Sequence, residues 1–107
     1  MKANYDIVVI GFGKAGKTLA AKFSKSGKSV ALIEKDKNMY GGTCINVGCI
    51  PSKRLITDAS KSPNGEFEKK AQHYKEAVDE KKKLTAALNK ANYDKIAGAG
   101  VDIIDGT

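Results

Sequence analysis

Ligands for a metal are scarce in this chain: two cysteines, Cys44 and Cys49, and one histidine, His73. A structural zinc site takes four ligands, so a closed Cys/His site is not available and no metal site is expected. Long apolar runs are missing too. None approaches the roughly 20 residues of a membrane-spanning helix, so no membrane association is expected. The start contains Asp6 and a short apolar core, which argues against a signal peptide. Cytoplasmic location is the expectation, and there a cysteine pair is more plausibly redox-active than structural. Internal repeats and low-complexity tails are absent, and 41% hydrophobic with 29% charged residues fits a globular chain.

The net charge of +7 is unevenly placed. Residues 1–65 carry 11 Lys/Arg against 4 Asp/Glu, whereas residues 66–107 carry 8 of each. The lysine-rich stretch around Lys81, Lys82 and Lys83 is therefore balanced by neighbouring acids, many at helical pair spacing. Nucleic-acid binding wants a net basic face and is not expected. The excess lies in the first half, where it helps attract anionic cofactors.

That half opens with a nucleotide-binding pattern. Tyr5–Ile10 contains a β-branched run suited to a buried parallel strand. Gly11-Phe12-Gly13-Lys14-Ala15-Gly16 follows at once. A helix is predicted over about Lys14–Ser26, with Ala15, Leu19, Ala20 and Phe23 on one face and Gly27 as its C-terminal cap. Ser29–Ile33 is a second strand, closing on Glu34. In this context Gly11 makes the tight turn, Gly13 admits a pyrophosphate and Gly16 lets helix and strand pack closely. The helix N-terminus offers N–H groups to phosphate. An acid at Glu34 suits ribose hydroxyls and disfavours a 2′-phosphate. The pattern does not separate FAD from NAD, and a ligand-free glycine turn is the alternative.

Directly behind it stands Gly41-Gly42-Thr43-Cys44-Ile45-Asn46-Val47-Gly48-Cys49-Ile50-Pro51-Ser52-Lys53. In a regular helix, residues five apart lie about 8–9 Å apart at Cα, beyond the roughly 7 Å limit for a disulfide. The two cysteines can bond only across a distorted turn. Gly48 offers backbone freedom, and Pro51 fits the first turn of a following helix. The expectation is a loop running into a helix, with the cysteines at the junction, where a helix N-terminus favours thiolate. Inert buried thiols are the alternative.

Together, the GxGxxG turn, the acid after the second strand and GGTCxNxGCxPSK resemble the start of a class I pyridine nucleotide-disulfide oxidoreductase. GFGKAGKTLA (Gly11–Ala20) and MYGGTCINVGCIP (Met39–Pro51) look most like its reactive-chlorine-resistance flavoprotein branch. The resemblance covers residues 5–54. It implies an α/β, Rossmann-like FAD-binding domain and a homodimeric flavoenzyme taking hydride from NAD(P)H. Gly11, Gly13, Gly16 and Glu34 would hold the ADP half of FAD, with Lys14, Ala15 and Lys35 among the cofactor-binding residues. Gly42 and Thr43 would lie along the pyrophosphate and ribityl region. Cys49 would face the flavin, Cys44 would meet the substrate, and Lys53 would sit near the flavin N5 edge. Without the resemblance Lys53 reads as a solvated lysine. Disulfides, oxidised electrophiles and metal ions are acceptor classes of the family. A second nucleotide fingerprint and the family's interface domain are not in the sequence, so the chain reads as the N-terminal piece of such an enzyme. A non-catalytic flavin-binding or assembly fragment is the alternative.

Beyond the Ser62-Pro63-Asn64-Gly65 turn signal, a helix is predicted over about Glu66–Asn92. Its imperfect stripe runs through Phe67, Ala71, Tyr74, Val78, Leu84 and Leu88. His73 is expected on its exposed surface. Gly98 and Gly100 precede Val101–Thr107, which reads as a strand entering a turn, and the short sheet is expected to leave its edges open.

Overall fold

The computed structural model describes residues 2–107. Strand β1 (Ile7–Ile10) leads through the glycine turn into helix α1 (Lys14–Lys25), which returns to strand β2 (Val30–Glu34). A 3-10 turn (Lys37–Met39) and three helices follow: α2 (Thr43–Asn46), α3 (Cys49–Ser60) and α4 (Phe67–Gly98). Strand β3 (Asp102–Asp105) closes the chain. The sheet is parallel, in the order β1-β2-β3, with Val9 opposite Leu32 and Leu32 opposite Ile103. This is the expected α/β, Rossmann-like arrangement.

Period-2 alternation decides which residues make the core. Ile7 and Val9, Val30 and Leu32, and Ile103 point to one face, where they meet Ala20 of α1 and Ile96 of α4. Val8 and Ile10 point to the other face and are 54% and 85% exposed. Among the described residues both outer strands, β1 and β3, pair with β2 alone, so both edges of the sheet are open, as expected.

Helix α1 ends in a Schellman motif: Gly27 N–H donates to the Ser24 carbonyl and Lys28 N–H to that of Phe23. Gly27 has φ +90°, so the predicted cap is correct. The predicted face holds for Ala20 and Phe23 but not for Ala15 and Leu19. Ala15 and Leu19 are exposed, while Gly16, Ala20 and Phe23 turn inward. These positions lie four and three apart, and Gly16 must touch the strand.

Helix α4 runs past the predicted end at Asn92, because Ile96 is anchored in the core at 3% exposure. Gly98 is tolerated as its last residue, and Gly100, at φ +89°, lets the chain turn into β3. The buried stripe also differs. Phe67 and Tyr74 are 82% and 70% exposed, and Ala77 and Ile96 are the buried residues. His73 is half-buried, its ring Nε2 2.7 Å from the Asp58 carbonyl of α3. Its helix neighbours are polar, but the packing partner comes from another helix. At about 1.5 Å per residue, α4 is far longer than the sheet is deep. With α3 it forms an arm that stretches the molecule to 61 × 23 × 17 Å.

An aromatic row ties this arm to the glycine turn. Phe12 and Tyr40 rings lie 5.2 Å apart, and Tyr40 and Tyr93 5.0 Å. The Tyr40 hydroxyl donates to the Asp105 carboxylate. Burial, first, and then this bond and the Asp105 charge push the Tyr40 hydroxyl well above its ordinary value. A folded-state pKa above the unfolded one adds stability that is present below about pH 10 and lost as pH rises through the folded value. Tyr40→Phe is therefore expected to flatten the loss of stability between about pH 10 and 12 in urea titrations. An unchanged alkaline slope would refute this assignment.

Candidate active site

The site is built where the two glycine-rich turns meet. In the first, Gly11 has φ +101°. A Cβ on Gly16 would stand 2.1 Å from the Gly11 carbonyl oxygen and 3.2 Å from Val9 Cγ1, so helix and strand touch there. By contrast, Cβ positions at Gly11 and Gly13 meet nothing within 4 Å. That side of the turn is open to a ligand. Gly13 is the N-cap of α1, with no side-chain cap and no acid in the first turn. The first N–H groups of the helix are thus free of side-chain acceptors, as an anion site requires.

Glu34 ends β2 beside this turn. Its carboxylate accepts from Phe12 N–H at 2.9 Å and from Asp36 N–H at 3.2 Å. The acid therefore already braces the glycine turn, a role that spacing alone does not reveal. Lys35 follows it and is exposed; Lys14 and Ala15, at the start of α1, are exposed as well.

The second turn is Gly41-Gly42, with φ +92° and +94°. A Cβ on Gly42 would stand 2.8 Å from Gly13 Cα. The two turns are thus pressed backbone to backbone, and no side chain fits between them. Asn46 secures the second turn, its Nδ2 donating to the carbonyls of Tyr40 (2.8 Å) and Gly42 (2.9 Å). Asn89 of α4 donates in turn to Asn46 Oδ1 at 3.0 Å. Sequence reading missed Asn46, Asn89 and Tyr40. Asn46 lies inside the cysteine motif, but nothing in its spacing gives its partners.

Both cysteines are free thiols on exposed residues. Cys44 lies in α2, a single turn, and Cys49 is the first residue of α3. The helix breaks between them. Val47 and Gly48 N–H both donate to the Thr43 carbonyl at 2.9 Å, and Ser52 N–H then donates to Gly48. This is the distorted turn that the spacing demands. Gly48 sits at φ −110°, so left-handed freedom is not what it contributes. Pro51 is buried in the first turn of α3, where its missing N–H goes unneeded.

The break leaves the two thiols near enough for Cys49 to act on the titration of Cys44. Hydrogen bonding of the Cys44 S–H to Cys49 pushes the Cys44 thiol above its ordinary value, with desolvation and the Cys49 charge acting the same way. Lys14 and Lys53 pull it down. The lowering expected from a helix N-terminus does not govern Cys44, because α2 has only 4 residues and little dipole. Lys53 is exposed on α3, one turn beyond Cys49, and Thr43 is exposed beside Cys44. Among the described residues, no group of three or more His, Cys, Asp or Glu could hold a metal ion, and no helix is long and apolar enough to cross a membrane.

A profile of the pyridine nucleotide-disulphide oxidoreductases matches residues 5–106. The chain belongs to this family. Among its oxidoreductase relatives, the probable pyridine nucleotide-disulfide oxidoreductase RclA of Escherichia coli is 44% identical over 103 residues, 95% of this chain and 21% of RclA. Dihydrolipoyl dehydrogenase of Corynebacterium glutamicum is 47% identical over 70 residues, 65% of this chain and 14% of that protein. A solved structure, the Cu(II) complex of the HOCl-induced flavoprotein disulfide reductase RclA from Escherichia coli, superposes with a TM-score of 0.83 at 43% identity. It covers 95% of this chain and 22% of that one. The chain thus spans about a fifth of the length of RclA. The family resemblance and branch expected from the motifs are both borne out. FAD is the cofactor of these disulfide oxidoreductases, and the fold and the open glycine cradle fit its ADP half.

Proposed function

We propose that residues 1–107 form the N-terminal part of the FAD-binding domain of a flavin- and disulfide-dependent oxidoreductase. The observation that carries this reading is the backbone contact between Gly42 and Gly13, which sets the dithiol segment directly against an open dinucleotide cradle. FAD, when bound, supplies a two-electron carrier between NAD(P)H and the cysteine pair. The chain's own residues do the rest. Gly13 admits the pyrophosphate at the turn that Gly11 makes and Gly16 packs closely, with Lys14 and Ala15 at the free helix N-terminus. Glu34 and Lys35 meet the adenosine end, while Gly42 and Thr43 line the path towards the thiols.

Cys44 and Cys49 exchange two electrons and two protons as they pass between dithiol and disulfide. Cys44 is assigned to the acceptor side and Cys49 to the cofactor side, with Lys53 beside it. Attack by the Cys44 thiolate on a disulfide acceptor forms a mixed disulfide and expels a thiol. Cys49 then displaces the second thiol and closes the Cys44–Cys49 bond. The raised Cys44 pKa makes this step faster as pH rises. The whole reaction, including NAD(P)H oxidation and homodimer formation, belongs to proteins of the relatives' length. The Cu(II) complex of RclA adds copper(II) to the acceptor classes worth assaying.

The test is the visible spectrum of the purified chain with added FAD. Flavin absorbance that stays with the protein through gel filtration supports the cofactor site. Glu34→Ala is expected to weaken retention by about 1–3 kcal/mol, the value of a hydrogen bond to a charged group. A chain that never retains FAD, under conditions where it is folded, would argue against the cofactor assignment.

A further inference from the structure

Helix α1 carries a lysine that meets no carboxylate among the described residues. Lys17 lies one turn beyond the glycine loop, its N–H donating to the Gly13 carbonyl at 2.9 Å. Its ammonium donates to Asn92 Oδ1 at 2.8 Å and to the Gly41 carbonyl at 3.2 Å. Both acceptors are neutral, and none of the ion pairs among the described residues includes Lys17. A surface lysine normally keeps its charged head in water. This one gives donors to a turn and an amide instead. Desolvation, with Lys95 and Lys14 nearby, holds its pKa below that of an ordinary lysine, and the Cys44 charge raises it.

What Lys17 grips is the turn on which the site depends. Gly41 has no room for a side chain: a Cβ would stand 2.9 Å from Ile45 Cδ1 and 3.2 Å from Asn92 Cβ. Gly42, next along, rests on Gly13, and its carbonyl accepts the Asn46 N–H at 3.2 Å as α2 begins. Cys44 follows within one turn. The bridge thus joins three separate elements, α1, α4 and the turn, at the point where the direction of α2 is set.

We propose that Lys17 is a positioning residue, tying the Gly41-Gly42 turn to α1 and α4 and so setting the position of Cys44 relative to Cys49 and the dithiol segment against the glycine cradle. The effect on the cradle rests on the FAD reading above; the effect on the cysteine pair does not. A lysine that only stabilised the fold would leave the dithiol equilibrium of the folded chain unmoved. A positioning lysine changes the effective concentration of one thiol at the other.

The experiment equilibrates the 107-residue chain with oxidised and reduced glutathione. Oxidised glutathione takes two electrons from the pair and leaves as two molecules of thiol, and the disulfide fraction is read by mass after alkylation. Lys17→Met is expected to lower the disulfide equilibrium constant about 10-fold, equivalent to about 30 mV for a two-electron couple. Lys17→Arg keeps charge and donors and is expected to stay within about 3-fold of the parent. Thermal unfolding shows that each variant is folded at the assay temperature. Should Lys17→Met not fold, Asn92→Ala removes one acceptor and is expected to shift the constant about 3-fold in the same direction. An unchanged constant in a folded Lys17→Met, or in a folded Asn92→Ala if that variant is needed, overturns the proposal even where the melting point falls. A shifted constant in a chain that never retains FAD would uphold the role of Lys17 at the dithiol while sinking the FAD reading.

Discussion

Serine at Cys44 is expected to lower acceptor reduction by on the order of 10³-fold or more in a chain long enough to bind NAD(P)H, since the nucleophile itself is removed. The long-wavelength absorbance from a thiolate beside the flavin should survive, because Cys49 is untouched. Serine at Cys49 should abolish that absorbance and also block turnover, because the mixed disulfide on Cys44 can no longer be resolved. The two variants therefore separate the roles of the two thiols. Normal turnover in Cys44→Ser, or an unchanged absorbance in Cys49→Ser, would reverse or sink the assignment. The structure sharpens the contrast. The Cys44 thiol pKa is held up chiefly by hydrogen bonding of its S–H to Cys49. Alkylation of Cys44 in Cys49→Ser should accordingly proceed at lower pH than in the parent.

Alanine at Gly16 is expected to be the most damaging single methyl addition to the fold. Its Cβ would lie 2.1 Å from the Gly11 carbonyl oxygen, a backbone atom that cannot swing aside. Relief requires α1 to separate from β1, opening the core around Ala20. Overpacking costs about 1–3 kcal/mol and occasionally more, with a backbone approach this close at the upper end, a large share of the roughly 5–15 kcal/mol that holds a domain folded. Alanine at Gly42 combines a φ of +94° with a 2.8 Å approach to Gly13 Cα, and should push the dithiol segment off the cradle. Gly13→Ala is the discriminating control. Its Cβ meets no protein atom, so stability should move by no more than about 1 kcal/mol, while a pyrophosphate loses its place. Urea midpoints and FAD retention, measured on all three, check the scheme. A Gly16→Ala protein as stable as the parent, or a Gly13→Ala protein that binds FAD normally, would contradict it.

Much of this site is legible in sequence because its causes are local. The turn, strand and helix around Gly11–Gly16 follow from residues within a few positions of one another. The same holds for the cap at Gly27 and the need for a break between Cys44 and Cys49. The His73 assignment and the Ala15 and Leu19 part of the α1 face failed for the opposite reason. Which side of a helix is buried depends on what it meets, and Asp58 and the β1 backbone are set by the fold.

By itself, then, the sequence determined the parallel strand-helix-strand unit, the acid at its end and the dithiol that follows, since glycine conformations and hydrophobic period act over short stretches of chain. Only the tertiary structure decided how these parts are clamped together. The Lys17–Asn92 bridge spans 75 positions, the Tyr40–Asp105 bond 65 and the Asn46–Asn89 pair 43. Contacts over such separations depend on where α4 crosses the sheet. That path is set by the summed burial of Ile96, Val101 and Tyr93 against the core, and no local spacing records it.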